Sequence, residues 1–201
     1  MVDTLTLYRA LAPILMRRLV GDFDFTPTDA AAVIGNAGHE SGGFLHIQEL
    51  KPTVAGSRGG WGFFQWTGAR RVAMEAYCAR NGLDPASPEA NYAWLFIELT
   101  GPEKAAVSAV KRAKSLFDKV KAFELAFERA GVKHYESRLR WAEIALAAFN
   151  NSFDKGNVTT RPRPPDGQTK ESTQDQPAPR GLFHALFALI AVVASFFRKG
   201  K

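Results

Sequence analysis

The feature that most constrains the fold is helical spacing of apolar residues through residues 1–153, interrupted by residues that start helices. The predicted starts are Thr26 before Pro27, Ser87 before Pro88, and Ser115 with Asp118 at capping-box spacing. With helix starts at these positions, few residues are left to form a β-sheet. The sequence therefore predicts one mainly α domain over residues 1–153.

The same pattern predicts individual helices. The first carries apolar residues from Leu7 to Leu19 and ends before Gly21, and the second begins at Pro27 and ends near Ser41. Further helices are expected at 68–81, 88–100, 103–113, 116–130 and 135–150. Residues 44–66 show no helical period and carry Gly, Pro, Thr, Val and aromatic residues, which predicts a small β-hairpin lobe.

The chain changes composition after the helical body. Residues 154–180 contain almost no apolar side chain, so we predict a disordered linker. Residues 181–197 are apolar on every side, and as a helix they would span about 25 Å, slightly short of a hydrocarbon core of about 30 Å. We predict that residues 181–201 form a hydrophobic helix that inserts into a membrane. Docking on the protein is the alternative.

Net charge, motif content and cysteine content limit which classes of partner and cofactor are expected. The net charge of +6 and the pI near 9.6 favour an anionic partner such as a membrane surface or an acidic wall polymer. Motifs of nucleic-acid binding, metal ligation and phosphate binding are not found, so we expect no nucleic acid, metal or cofactor. Cys78 is the only cysteine and is expected to be buried. Residues 1–6 lack the pattern of a signal peptide.

Two carboxylates in a short window suggest the chemistry. Glu40 lies in the segment 39–44, and Glu49 follows before the Gly- and aromatic-rich run 59–68. Cleavage of a sugar–sugar bond needs one acid to protonate the leaving oxygen and one carboxylate to act on water or on the oxocarbenium-like centre. The end of a helix disfavours a charged carboxylate, which would help Glu40 to keep a proton.

Other residues of this region are candidates for holding a sugar chain. Gln65 offers an amide, Trp61 and Trp66 offer flat faces, and filling the lobe interior is the alternative for both tryptophans. His39 precedes the acid and is either a site residue or structural. Orienting roles are expected for Ser41 and Asn36. Arg70 and Arg71 either face solvent or hold a carboxylate, with an influence on Glu49 as one option.

Two segments resemble known enzymes. Residues 38–44 with Glu49, together with Gly62-Phe63-Phe64-Gln65-Trp66-Thr67-Gly68, resemble family 19 glycoside hydrolases of the phage endolysin type. The second segment, followed by Arg70 and Arg71, is also similar to the phage tail lysozyme family. Both belong to the lysozyme-like superfamily. This resemblance implies a mainly α (α+β lysozyme-like) fold, with a cleft between the helical body and the β-hairpin lobe.

The resemblance also implies roles for individual residues. Glu40 corresponds to the general acid and Glu49 to the general base that activates water. Ser41, Gln65 and Thr67 match positions that line the substrate cleft. The run 62–66 is more aromatic than in family 19, and tail lysozymes and lytic transglycosylases can work without a second carboxylate.

The function predicted from the sequence is therefore a peptidoglycan hydrolase of the lysozyme or muramidase type, cutting glycan strands between N-acetylated sugars. Peptidoglycan, a lipid membrane contacted by residues 181–197 and a holin-like pore protein are the expected partners. Synthesis in a host cytoplasm and action at the inner membrane or periplasm during lysis are expected. The alternatives are a lytic transglycosylase, a chitinase, a membrane-disrupting protein whose tail is the effector, and a sugar-binding module without catalysis.

Overall fold

The computed structural model describes residues 3–154 except 50, 53 and 55. This part of the chain is mainly helical, as predicted. Its α-helices are α1 (Thr4–Phe23), α2 (Pro27–Glu40), α3 (Gly68–Asn81), α4 (Pro88–Thr100), α5 (Lys104–Arg112), α6 (Leu116–Phe123) and α7 (Tyr135–Asp154). A π-helical segment, Glu124–Glu128, continues directly from α6.

The predicted capping residues determine where helices begin. Thr26 Oγ1 accepts a hydrogen bond from the Asp29 amide at 3.2 Å, and the Asp29 carboxylate accepts one from the Thr26 amide at 2.8 Å. This capping box and Pro27 start α2 at the predicted residue. Ser87 and Ser115 cap α4 and α6 by accepting hydrogen bonds from the amides of Ala90 and Asp118, respectively.

Helix α2 is the central element of the helical body and packs on α1, α6 and α7. Its residues from 30 to 38 are buried. Gly35 allows the closest approach, because a Cβ atom added there would lie 2.5 Å from Ala142 Cβ of α7. The small residue thus brings α7 against α2, and this contact positions the side chains at the end of α2.

Two helix ends differ from the prediction. Helix α1 continues through Gly21 to Phe23, because the buried Phe23 ring keeps the last turn in the core, and Asp24 ends the helix with φ 50°. The predicted helix 116–130 changes to π-helical hydrogen bonding at Glu124 and ends at Arg129, whose φ is 54°. The prediction that Cys78 is buried is confirmed.

The lobe between α2 and α3 is held by loops more than by strands. Its described residues form two isolated antiparallel bridges, Gln48 with Trp61 and Trp61 with Trp66. Most of the remaining backbone is turn or irregular, and the predicted β-hairpin is not confirmed. Side-chain hydrogen bonds to backbone supply much of the order in this lobe.

The predicted linker 154–180 and the predicted helix 181–201 lie outside the described residues, apart from Asp154 at the end of α7. Within the part of the chain that the structure describes, no helix combines the length and apolar character needed to cross a bilayer. The proposed division of the chain into domains stays a prediction.

Candidate active site

Glu40 is the last residue of α2, and its carboxylate meets a guanidinium from α7. Arg138 Nη2 donates a hydrogen bond of 2.6 Å to Glu40 Oε1. The Glu40 side chain is 20% exposed, whereas that of Arg138 is 1% exposed. The carboxylate is therefore anchored from the protein side and still open to solvent.

Arg138 is itself held in place by three hydrogen bonds. Its Nη1 donates to Asn36 Oδ1 at 3.0 Å, and its Nε donates to the Lys133 carbonyl at 2.8 Å, in addition to the bond with Glu40. Asn36 in turn donates to the carbonyls of Ala32 and Val120. Asn36 is thus linked to Glu40 through Arg138, and its orienting role stays a prediction.

The turn after Glu40 is tightly wound. Gly42, Gly43 and Phe44 follow with φ of 55°, 70° and 71°, a left-handed conformation that glycine adopts readily and phenylalanine rarely. Ser41 is buried, donating to the Ala37 carbonyl at 2.7 Å and accepting from the Phe44 amide at 2.9 Å. Ser41 therefore stabilises the turn in this structure, and its contact with substrate stays a prediction.

His39, the residue before Glu40, contacts residues at and just before the start of α7. Its Nδ1 lies 2.9 Å from Ser137 Oγ, and its ring centroid lies 5.3 Å from that of His134. Burial, together with the nearby charges of Arg138 and His134, lowers the pKa of His39 to about 4. The imidazole is therefore neutral near pH 7. These contacts fit the structural alternative, although a groove lined by His134 and Ser137 adjoins the ring.

Glu49 belongs to the lobe. Its Oε2 accepts a hydrogen bond from the Gly60 amide at 2.9 Å, and its own amide donates to the Gly60 carbonyl at 2.9 Å. The carboxylate is half-buried. Among the described residues, Glu40 and Glu49 share no hydrogen-bond partner, so the two carboxylates are positioned by different elements.

Gln65 braces the lobe from within. Its φ is 47°, and its Nε2 donates to the carbonyls of His46 at 3.0 Å and Gly62 at 2.8 Å. Because Nε2 is hydrogen-bonded to backbone carbonyls, Oε1 is the atom of the Gln65 amide that is left to accept a hydrogen bond from a ligand. Thr67 is exposed and precedes α3, without a side-chain bond that caps the helix.

The two tryptophans differ in exposure. Trp66 is 1% exposed, and its indole nitrogen donates to Glu98 Oε2 at 2.7 Å, so it fills the interior and has no free face for a sugar. Trp61 is half-buried, donates to the Pro85 carbonyl at 3.2 Å and lies beneath the guanidinium of Arg71. For Trp66 the interior alternative is therefore the one that the structure supports.

Arg70 and Arg71 both hold carboxylates. Arg70 donates from Nε and Nη2 to the two oxygens of Glu98, at 2.7 and 2.8 Å. Arg71 donates to Glu75 at 2.9 Å and also to the carbonyl of Gly59 at 3.0 Å. The carboxylates they bind are thus Glu98 and Glu75, while Arg71 supports the loop next to Glu49.

Sequence reasoning missed two carboxyl groups in the π-helical segment. Glu124 is buried and accepts from the Ala130 amide, Lys133 Nζ and Tyr135 Oη. Glu128 differs: its Oε1 is buried and has no hydrogen-bond partner within the described residues. Burial raises the pKa of Glu128 well above its usual range, and the charge of Glu40 raises it further.

No group of three or more metal-ligating side chains occurs in the part of the chain that the structure covers. The carboxyl group of Glu40 at the end of α2 can transfer a proton. A model of the phage tail lysozyme family matches residues 11–149. The chain belongs to this family, the second of the two that the sequence resembles, and is therefore a peptidoglycan-lytic enzyme of the glycosidase kind. No curated protein and no solved structure matches the chain.

Proposed function

We propose that this protein cleaves the glycan strands of peptidoglycan between N-acetylated sugars, with Glu40 as the general acid. The observation that carries the proposal is the position of Glu40. Its carboxyl group is partly exposed at the end of a buried helix, fixed by Arg138 and the tight turn that follows. A positioned carboxyl group that reaches solvent is what protonation of a glycosidic oxygen requires.

Glu49 is the proposed general base, which would make the enzyme a hydrolase of the lysozyme type. Its carboxylate is half-buried in the lobe and keeps one oxygen beyond the bond to Gly60. A lytic transglycosylase is the second candidate, because it needs only the acid. In that reaction the sugar's own 6-hydroxyl group attacks the anomeric carbon.

Replacing Glu40 tests the acid. Glu40→Gln keeps the shape and a hydrogen-bond acceptor for Arg138 but has no proton to donate, so release of soluble glycan from purified sacculi should stop. Glu143→Gln, on the exposed side of α7, is the matched control and should retain full activity. Sustained glycan release by folded Glu40→Gln would reject the proposal.

The products decide between the two reactions. Hydrolysis adds one water to the cut strand, whereas transglycosylation leaves an anhydro sugar that is lighter by one water. Mass spectrometry of the released fragments distinguishes them. With a hydrolytic product, Glu49→Gln should lower the rate by about 100-fold or more. An anhydro product with unimpaired Glu49→Gln would assign the transglycosylase reaction.

We also propose that residues 181–197 bind a membrane and bring the enzyme to the envelope at the inner membrane or periplasm, after release through a holin-like pore. The all-round apolar sequence flanked by Arg180 and Arg198 supports this. Truncation after residue 155 should leave activity on purified sacculi intact and reduce lysis of cells. Loss of activity on sacculi as well would count against a separate delivery role.

A further inference from the structure

A groove of about 260 Å³ lies between the lobe and the start of α3. Arg58 and Arg71 line it, and no acidic side chain is found among the described residues of its lining. Within the same part of the chain, no atom lies within 4 Å of a Cβ atom added at Gly56 or Gly68, so these two glycines leave the groove open. The groove is therefore accessible and lined by basic side chains.

The two arginines differ in how many of their donors are already used. Arg71 has a side chain that is 9% exposed, and all three guanidinium nitrogens donate within the protein, to Glu75, to Gln48 and to the carbonyls of Arg58 and Gly59. The Arg58 side chain is 59% exposed, and only its Nη2 donates, to Glu75. Its Nε and Nη1 have no hydrogen-bond partner among the described residues. Arg58 is therefore the arginine that can bind a ligand.

The backbone at Arg58 is fixed although its side chain is exposed. The Arg58 carbonyl accepts hydrogen bonds from Arg71 Nη1 at 2.6 Å and from Gln48 Nε2 at 2.9 Å. These bonds place the exposed guanidinium at a defined position on the groove. Because Glu75 is one carboxylate between two guanidinium groups, one positive charge is left over there. A guanidinium with free N–H groups binds a carboxylate through strong, directed hydrogen bonds.

The groove adjoins the proposed general base. A Cβ atom added at Gly59 would lie 3.1 Å from Glu49 Oε2, and the amide of Gly60 donates to the same oxygen at 2.9 Å. The loop that presents Arg58 to the groove is thus the loop that holds the Glu49 carboxylate. A ligand in this groove would lie close to the bond on which Glu49 is proposed to act.

We infer that Arg58 binds a free carboxylate of the peptide stem of peptidoglycan and so selects strands that carry stems. The inference rests on the proposed function and narrows its substrate. Stems with free carboxylates extend from alternate sugars of peptidoglycan, whereas chitin has N-acetylated sugars and no negative charge. The basic lining and the two unused donor nitrogens of Arg58 match an anionic stem and offer nothing specific to an uncharged strand.

The test compares kcat/KM for cleavage of two soluble glycans. Strands freed from sacculi by an endopeptidase keep their stems, and the same strands treated with an amidase lose them and keep only the lactyl carboxylate of each muramic sugar. Chromatography of the fragments measures cleavage of both. Wild type should cleave stem-bearing strands with a kcat/KM about 5-fold higher. Arg58→Gln should lose this preference and keep the wild-type value on stem-free strands.

Two further variants serve as controls. Arg80→Gln removes an exposed arginine from the last turn of α3 and should keep the full preference for stems. Arg58→Lys keeps the charge without the planar set of donors and should retain part of it. Thermal unfolding of Arg58→Gln should match wild type, because Arg71 still binds Glu75 and the backbone carbonyl at position 58 is unchanged.

Three results would overturn the inference. They are an unchanged preference in Arg58→Gln, an equal loss on both substrates, and a loss confined to stem-free strands, which would assign Arg58 to the lactyl carboxylate. In each of these cases wild type still cuts glycan, so the proposed function stands. Failure of wild type to cut either substrate would reject the proposed function, and the inference with it.

Discussion

Arg138 Nη2 lies 2.6 Å from Glu40 Oε1, and Nη1 of the same guanidinium lies 3.0 Å from Asn36 Oδ1. Arg138 of α7 thus donates hydrogen bonds to two residues of α2 that are one turn apart. Because the guanidinium is fully buried, its position is fixed by these contacts and by the Lys133 carbonyl. The candidate acid is therefore positioned by a second helix and not by its own helix alone.

Removing this guanidinium should damage stability as well as activity. Arg138→Met leaves Asn36 and the Lys133 carbonyl without a donor, so we expect a loss of about 3–5 kcal/mol in the free energy of unfolding. Urea denaturation measures it. Arg140→Met, two residues along on the exposed side of α7, is the control and should change stability by less than about 0.5 kcal/mol. Similar small losses in both variants would contradict the anchoring role.

The turn after Glu40 should tolerate substitution unequally. A Cβ atom at Gly43 would lie 2.7 Å from Trp141 Cη2 and 2.8 Å from Thr4 Cγ2, at φ 70°. Gly43→Ala should therefore cost about 2–4 kcal/mol, from left-handed strain and overpacking together. At Gly42 the nearest atom belongs to the exposed His46 ring, so Gly42→Ala should cost only about 1–2 kcal/mol. Thermal denaturation ranks the two, and equal costs would argue against the close packing of Gly43.

The buried indole of Trp66 should matter for stability and not for substrate binding. Trp66→Phe removes the donor to Glu98, which still has Arg70, so we expect a loss of about 1–3 kcal/mol. The KM for glycan release should stay at the wild-type value. A raised KM with unchanged stability would instead indicate that Trp66 contacts the substrate. Trp61→Phe, at the half-buried position, is the comparison.

His39 should make the protein lose stability in acid. Its pKa is lowered to about 4 in the folded state, whereas an unfolded histidine has a pKa of roughly 6.5. The unfolded chain therefore binds more protons between these values, and stability present above pH 6.5 falls as the pH drops towards 4. Melting temperatures of wild type and His39→Asn across this range measure the effect. The variant should decline less steeply, and parallel curves would contradict the assignment.

The helices were predictable because their signals are local. Thr26 with Pro27 and Ser87 with Pro88 determine the helix starts through residues only a few positions apart. The role of Arg138 was not predictable, because its partner Glu40 is 98 residues away. The burial of Glu128 was not predictable either, because a polar residue in the last turn of a helix normally faces solvent. The end of α1 at Phe23 depended on tertiary burial of the ring.

The contacts of the residues predicted to bind substrate were likewise not predictable from the sequence. Ser41, Gln65 and Trp66 stand where a cleft was expected, but in the structure their polar atoms serve the turn, the lobe backbone and Glu98. A residue type that suits sugar binding also suits the bracing of an irregular loop. Only the three-dimensional contacts separate these uses.

The central claim is that Glu40 gives its proton to the leaving oxygen, and leaving-group dependence tests it most directly. The measurement compares kcat/KM of wild type and Glu40→Gln on two aryl glycosides of an N-acetylated peptidoglycan sugar chain, one with a phenol and one with a dinitrophenol as leaving group. The account predicts a loss of about 100-fold or more with phenol, and a much smaller loss with dinitrophenol, which departs without protonation. An equal loss with both leaving groups would contradict it.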